Sequence, residues 1–221
     1  MKIMGFTYLS GISAEEQSSN RLDEQEFLLK GDSALLVNKK PFFVPEKTLC
    51  LAAHPCVVMR ISKLGKNISP RFAYRYIDAI AAGLHIEDEG MLTQSRKEGH
   101  SWTAAVAADG SLPVGTFLPL TKEDDGCTFR FFPEDGYECN FRFFLEGEEK
   151  HIRLAELPIA EAVAAVSRVM TIRQGDMLFL TTRQTPFYPK MEQYITATIQ
   201  AEQIPEEHAE AARDNLYCKI K

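Results

Sequence analysis

The chain has 221 residues, 45% of them hydrophobic and 25% charged, with a formal net charge of −6. That balance belongs to a globular protein long enough to bury a core without disulfide staples, and the acidic excess gives no electrostatic support to a nucleic-acid or acidic-membrane surface. No apolar run approaches the ~18 residues a membrane helix needs.

In chain order, "MKIMGFTYL" reads as a short strand, and residues 10–26, "SGISAEEQSSNRLDEQE", as an exposed loop or marginal helix. "FLLKGDSALLVNKKPFFVP" reads as short β segments around a turn at Gly31-Asp32 and a hairpin-like "NKKP". The strand "CVVMRIS" follows, closed by the "KLGKN" turn with Gly65. Ser69-Pro70 is a helix start, and "PRFAYRYIDAIAA" places Phe72, Tyr76 and Ile80 on one helical face, with Gly83 as the stop. "LHI" then runs as a short strand into the acidic turn "EDEG", and "MLTQSRKEG" as a second helix.

Beyond Trp102, "TFRFF" and "NFRFFLEGEEKHIRL" read as strands joined by "PEDGYE", with a further turn at Glu146-Gly147. "LPIAEAVAAVSRVM" is an amphipathic helix with Ile159, Val163, Val166 and Met170 on one side. "GDMLFLTT" and "YITATIQAE" are strands, and a short helix follows Pro205. With no repeat, low-complexity region or dividing linker, residues 1–221 are expected to form one α+β domain rich in strand.

Five cysteines, Cys50, Cys56, Cys127, Cys139 and Cys218, are odd in number and lack a CxxC pair. They read as reduced thiols, and the opening residues lack the apolar core of a signal peptide, so a cytoplasmic protein is expected.

From Lys30 to Thr182 the chain resembles the fumarylacetoacetate hydrolase family. The matching pieces are "KGDSALLVNKKPFFVP", "KLGKNISPRFAYRYIDAIAAGLHI", "SW", "DGSLPVGTFLP" and "MTIRQGDMLFLTT". The resemblance implies a mixed β-roll or sandwich with a few short helices, assembled as a homodimer. It also implies cleavage or rearrangement of carbon–carbon bonds in small oxo-acids by a divalent metal that chelates the substrate.

The family's functional positions are where this chain departs. The E-x-E pair that opens the strand before the "GKN" turn falls on His54 and Cys56. The third carboxylate falls on His85, the arginine four residues on falls on Glu89, and the lysine three residues before "DGS" falls on Val106. No histidine precedes His54 to serve as the family's lid histidine, and "TTRQ" keeps only Thr182 of the family's "TGTP".

Two readings follow. Positions i and i+2 of a strand share a face, so His54 and Cys56 project where the two carboxylates would. With His85 they compose a His/Cys/His set suited to zinc or iron and unsuited to magnesium, with Glu87 and Glu89 on the same face as bases or orienting groups. The protein is then a hydrolase or isomerase of small oxo-acids working through a softer metal.

On the other reading the thiol and imidazoles are ordinary packed side chains. The magnesium-dependent reaction is lost, and the chain persists as a pseudoenzyme, a dimeric binding or structural protein. Lys30, in a family-like "K-x-D-S" stretch, and Thr182 are the candidate substrate contacts, with a hairpin-surface lysine as the alternative for Lys30.

Overall fold

A computed structural model of the chain describes residues 1–8, 25–37, 39–120, 139–182, 184–201, 204 and 206–221. The sequence readings at 10–24, at "TFRFF" and "PEDGYE", and at Cys127, Arg183 and Pro205 lie outside the described residues.

The strands are β1 (Ile3–Tyr8), β2 (Gln25–Lys30), β3 (Leu35–Leu36), β4 (Leu51–Ile61), β5 (Ile77–Asp88), β6 (Leu112–Pro113) and β7 (Leu118–Pro119). They continue as β8 (Cys139–Leu145), β9 (Glu148–Arg153), β10 (Met177–Thr181), β11 (Tyr194–Ala201) and β12 (Leu216–Lys219). The α-helices are α1 (Glu89–Glu98), α2 (Thr103–Val106), α3 (Ile159–Val169) and α4 (Ala209–Arg213). The architecture is the strand-rich α+β fold expected, and no helix among the described residues is long and apolar enough to cross a membrane.

A six-stranded sheet runs β2-β1-β10-β4-β5-β7, a four-stranded sheet runs β12-β11-β8-β9, and β3 pairs with β6 in a small third sheet. In the large sheet β1 lies parallel to β10, and every other pair is antiparallel. Alternation sends its side chains to two interiors. Met4, Phe6, Val57, Met59, Ile80, Ala82, Leu84, Leu178 and Leu180 join the larger core, together with Phe141, Phe143, Ile195 and Ile199 of the smaller sheet and with Ile159, Val163 and Val166 of α3. Ile3, Leu28, Cys56, Val58, Ala81, Met177 and Phe179 face the other way, under Leu92 of α1, Ala105 and Val106 of α2, and Leu112.

The helix expected from Pro70 through Ala82 is a correction. A 3-10 helix covers only Pro70–Tyr76, and the chain then enters β5. The apolar spacing of "IDAIAAGLHI" looks helical because β5 is buried on both faces and so shows no in–out alternation. Long antiparallel pairing with β4 decides the outcome over local propensity.

Gly83 sits inside this strand, not at a helix stop. A Cβ there would come within 2.5 Å of Val58 Cγ2 and 3.0 Å of Cys56 Sγ. The C-terminal segment is tied to β5 by Asn215, whose Oδ1 accepts from the Ala82 N–H at 2.9 Å. Its Nδ2 donates to the carbonyls of Thr116 at 2.7 Å and Ala211 at 2.9 Å.

Candidate functional site

β4 and β5 place His54 directly opposite His85, and Cys56 opposite Gly83. Glu87, two residues beyond His85, points to the same face. The two imidazole centroids lie 5.7 Å apart. His54 Nε2 lies 3.1 Å from Glu87 Oε1, and His85 Nε2 lies 2.9 Å from Glu87 Oε2. An ionised carboxylate only accepts, so each ring donates its Nε2–H, one to each oxygen.

The cluster is deep: the side chains of His85, Glu87 and His54 are 0%, 5% and 13% exposed. Burial works to raise the Glu87 carboxyl, but the hydrogen bonds from the two histidines outweigh it and hold the group well below the usual carboxylate range. Burial, helped by the nearby Lys30 charge, lowers His85 to about 3, so its imidazole is neutral at pH 7. Its ring stacks on Phe179, centroid to centroid 5.3 Å, and its Nδ1 is buried with no hydrogen-bond partner among the described residues. Phe179 reaches that place because β1 supplies Gly5 opposite it: a Cβ on Gly5 would come within 2.1 Å of the ring.

Lys30 is no hairpin-surface residue. It is 1% exposed and ranks with the largest fully buried side chains. Nζ donates to Ser111 O and Ser111 Oγ, both at 2.9 Å, and to Ile86 O at 3.4 Å, so three neutral acceptors hold it. It stands 6.0 Å from the Phe179 ring centroid, on the same side of the sheet as the histidines. Burial lowers its amine to about 7, opposed by the attraction of Glu87 and Cys56. Ser111, from the "DGS" turn, passes its own proton towards Val106 O at 3.5 Å, and Val106 itself is packed with Cys56, Val58 and Phe179.

Cys56 is brought to the same face but one residue pair deeper, against Gly83 and Val58, where burial pushes its thiol up. Thr182 lies just past β10 and accepts from Gln184 N–H at 3.4 Å. The threonine that β10 sets opposite Cys56 is its neighbour Thr181, whose Oγ1 donates to Phe6 O at 3.5 Å. At the outer end, Glu89 Oε2 accepts from Tyr188 Oη at 3.0 Å and lies 4.0 Å from Cys50 Sγ.

The structure therefore joins His54 and His85, and joins them through Glu87. That residue's central place was signalled by the H-x-E spacing on a strand, which puts an imidazole and a carboxylate on one face. Lys30 carried no such signal, because a buried ammonium among carbonyls arises from non-local packing.

The divalent cation that the resemblance implies is held by carboxylates. A hard cation wants several oxygen ligands, and here the three positions carry two imidazoles and a thiol. The one carboxylate already accepts from both rings and is attracted by the Lys30 amine. The described residues hold no group of three or more His, Cys, Asp or Glu side chains already set to bind a metal. This donor set does not fit magnesium or manganese.

A family model described as the C-terminal domain of fumarylacetoacetate (FAA) hydrolase matches residues 8–206. Among solved structures, fumarylpyruvate hydrolase from Pseudomonas aeruginosa, in complex with Mn2+ and pyruvate, aligns with a TM-score of 0.74 at 18% identity, over 99% of this chain and 88% of that one. For 5-carboxymethyl-2-hydroxymuconate delta-isomerase from Mycobacterium smegmatis the values are 0.73 and 18%, over 99% and 78%. For 2-hydroxyhepta-2,4-diene-1,7-dioate isomerase from Mycobacterium marinum they are 0.71 and 17%, over 99% and 73%. No curated protein matches the sequence.

Proposed function

Because the chain belongs to the fumarylacetoacetate hydrolase family, we propose that it keeps the family's fold and binds a small oxo-acid without running a reaction on magnesium or manganese. The observation that carries this reading is the closed set His54–Glu87–His85. The carboxylate that would have to reach a hard cation is shared between two imidazoles, at 3.1 and 2.9 Å.

The structural neighbours named above are a hydrolase and isomerases of small acids, and a fold that is kept does not by itself keep a reaction. A small anion suits the face of the sheet that carries the Lys30 amine, where His54 is the most exposed side chain of the His54–Glu87–His85 cluster. A cytoplasmic homodimer belongs to the same proposal. Exposed Phe43, Leu49 and Met191 lie beside a groove of about 520 Å³ lined by Val44, Pro45, Leu51 and Pro189, which supplies an apolar surface for a second copy.

The test is a turnover assay with fumarylpyruvate and related oxo-acids in Mg2+ or Mn2+, beside calorimetry of pyruvate and oxalate binding. The expected result is saturable acid binding, weakened by His54→Ala, with no metal-dependent turnover. Turnover that requires Mg2+ or Mn2+ and falls in Glu87→Gln overturns the proposal.

A further inference from the structure

The net charge of −6 is not spread evenly over the chain. Residues 60–76, "RISKLGKNISPRFAYRY", carry Arg60, Lys63, Lys66, Arg71 and Arg75 without one carboxylate, and residues 168–175 add Arg168 and Arg173. The fold joins these two segments. Gly65 and Ile172 exchange both backbone hydrogen bonds, at 3.0 and 2.9 Å. Asn67 N–H donates to Ser167 O and Lys66 Nζ to Arg168 O, both at 3.0 Å, and the 3-10 helix Pro70–Tyr76 packs on α3.

Two aliphatic side chains stand out from this basic end. Leu64, on the turn after β4, is 69% exposed, and Val169, the last residue of α3, is 67% exposed. Lys63, Lys66, Arg71, Arg168 and Arg173 are exposed on the same two joined segments. The carboxylates that follow each segment in the chain are engaged: Asp78 with Arg60 at 2.7 Å, and buried Asp176 with Lys2 at 2.6 Å. Glu161 lies about two turns, or 10 Å, back along α3 from Arg168.

We propose that this end of the molecule docks reversibly on an anionic lipid surface, with Leu64 and Val169 entering the headgroup layer and the cations beside them meeting the lipid charges. Protruding aliphatics flanked by cations match a surface that is charged outside and apolar beneath. A nucleic acid would use neither aliphatic, and the Phe72 ring is already covered by Arg71 and Arg75, whose guanidinium carbons lie 4.4 and 4.9 Å from its centroid. A folded acidic partner would have to supply a pocket shaped for each of two separate tips, which a fluid lipid surface need not do. The docking end lies about 20 Å along β4 from His54, so it can be altered without touching the His54–Glu87–His85 cluster.

The experiment is co-sedimentation with vesicles of phosphatidylcholine alone and of phosphatidylcholine mixed with phosphatidylserine. Binding is expected only to the mixed vesicles, and it should fall as salt shortens the Debye length from ~10 Å at 0.1 M to ~3 Å at 1 M. Each Lys or Arg near such a surface is worth roughly fivefold in partition, so the double variant Lys63→Glu, Arg173→Glu should weaken binding at least about tenfold. Leu64→Ser should weaken it about threefold. Lys40→Glu with Lys97→Glu makes the same change of net charge on exposed lysines elsewhere and should weaken it less than about threefold.

Each variant is checked for folding by its melting curve, and the wild-type protein alone decides the first point. No binding to the phosphatidylserine vesicles overturns the proposal. So does equal weakening by the two double variants, which would make the effect one of overall charge, or a Leu64→Ser protein that binds as wild type does. Retention of polyglutamate or single-stranded DNA by a protein that leaves the vesicles unbound would assign the basic end to an acidic polymer instead.

Discussion

The two faces of the six-stranded sheet are built from alternate residues of the same strands, yet they solve different problems. One face, through Met4, Val57, Met59, Ile80, Leu84 and Leu180, meets Phe141, Phe143 and α3 in a core dominated by apolar side chains. The other buries Lys30, His85 and Glu87, with His54 at their edge, where an unpartnered polar atom is costly. The first face is held by area and packing, which tolerate volume-conserving change. The second is held by a specific list of hydrogen bonds, and its chemistry follows from that list. Stability and function are thus separated by strand parity, and a substitution's cost should follow the face it falls on.

The largest effect is expected on the apolar face. Phe141 is fully buried at the centre of β8 between the two sheets. Phe141→Ala should cost about 3–5 kcal/mol, since it loses the ring's burial and leaves a cavity. Denaturant unfolding should show it as a lower midpoint, with acid binding unchanged in the folded fraction. A loss below about 1 kcal/mol would mean that the two sheets are not packed as described.

Glu87→Gln comes next and tests the polar face. The amide accepts from one imidazole through Oε1 and donates to the other through Nε2 once that ring changes tautomer, so the shape survives but the charge and the charge assistance of both bonds do not. A loss of about 1–3 kcal/mol is expected in denaturant unfolding. Equal stability in wild type and variant would argue that the two histidines do not share this carboxylate.

How much of this was legible in the sequence also follows the faces. Strands with one buried side, such as β8 with its alternating "CNFRFFL", and the amphipathic α3 were readable, because their periodicity states which side is buried. At "IDAIAA" the sequence of β5 reads as helix, because burial on both faces erases the period that identifies a strand. In the site, the resemblance points to His54 and His85 and strand geometry puts His54 and Cys56 on one face, whereas the pairing of His54 with His85 comes only from the register of β4 and β5. Cys56 enters the set because it falls on the second position of the family's E-x-E pair, with Glu87 as a base or orienting group beside it. The choice between them rested on cross-strand register and on the close approach of Gly83 to Val58, neither of which a linear pattern records. Lys30 was invisible as a buried group, since its acceptors, Ser111 and Ile86, lie 81 and 56 residues away.

The smallest change in stability, and the sharpest distinction between the faces, is expected from Lys30→Met read against pH. Methionine fills a similar volume, and the acceptors released are not stranded: Ser111 O still receives the Ile86 N–H at 2.9 Å, and Ser111 Oγ still donates to Val106 O. Near pH 7 the cost should stay below about 1 kcal/mol.

The pH profile should change more. Burial lowers Lys30 to about 7 in the folded chain, against 10.5 for the free side chain. Between those values the unfolded chain binds the extra proton, so unfolding free energy rises with pH across that window and the gain is absent below about 7. His85, lowered to about 3 from 6.5, gives the same sign at lower pH: stability is lost as pH falls from 6.5 towards 3. Lys30→Met should therefore flatten the alkaline rise and keep the acid loss, while Phe141→Ala lowers the whole curve without changing its slopes. Chemical denaturation of the three proteins from pH 5 to 10 measures this. An alkaline rise that persists in Lys30→Met would mean that the lysine carries its charge into the folded state at no cost, and that this face is wetter than its hydrogen bonds require.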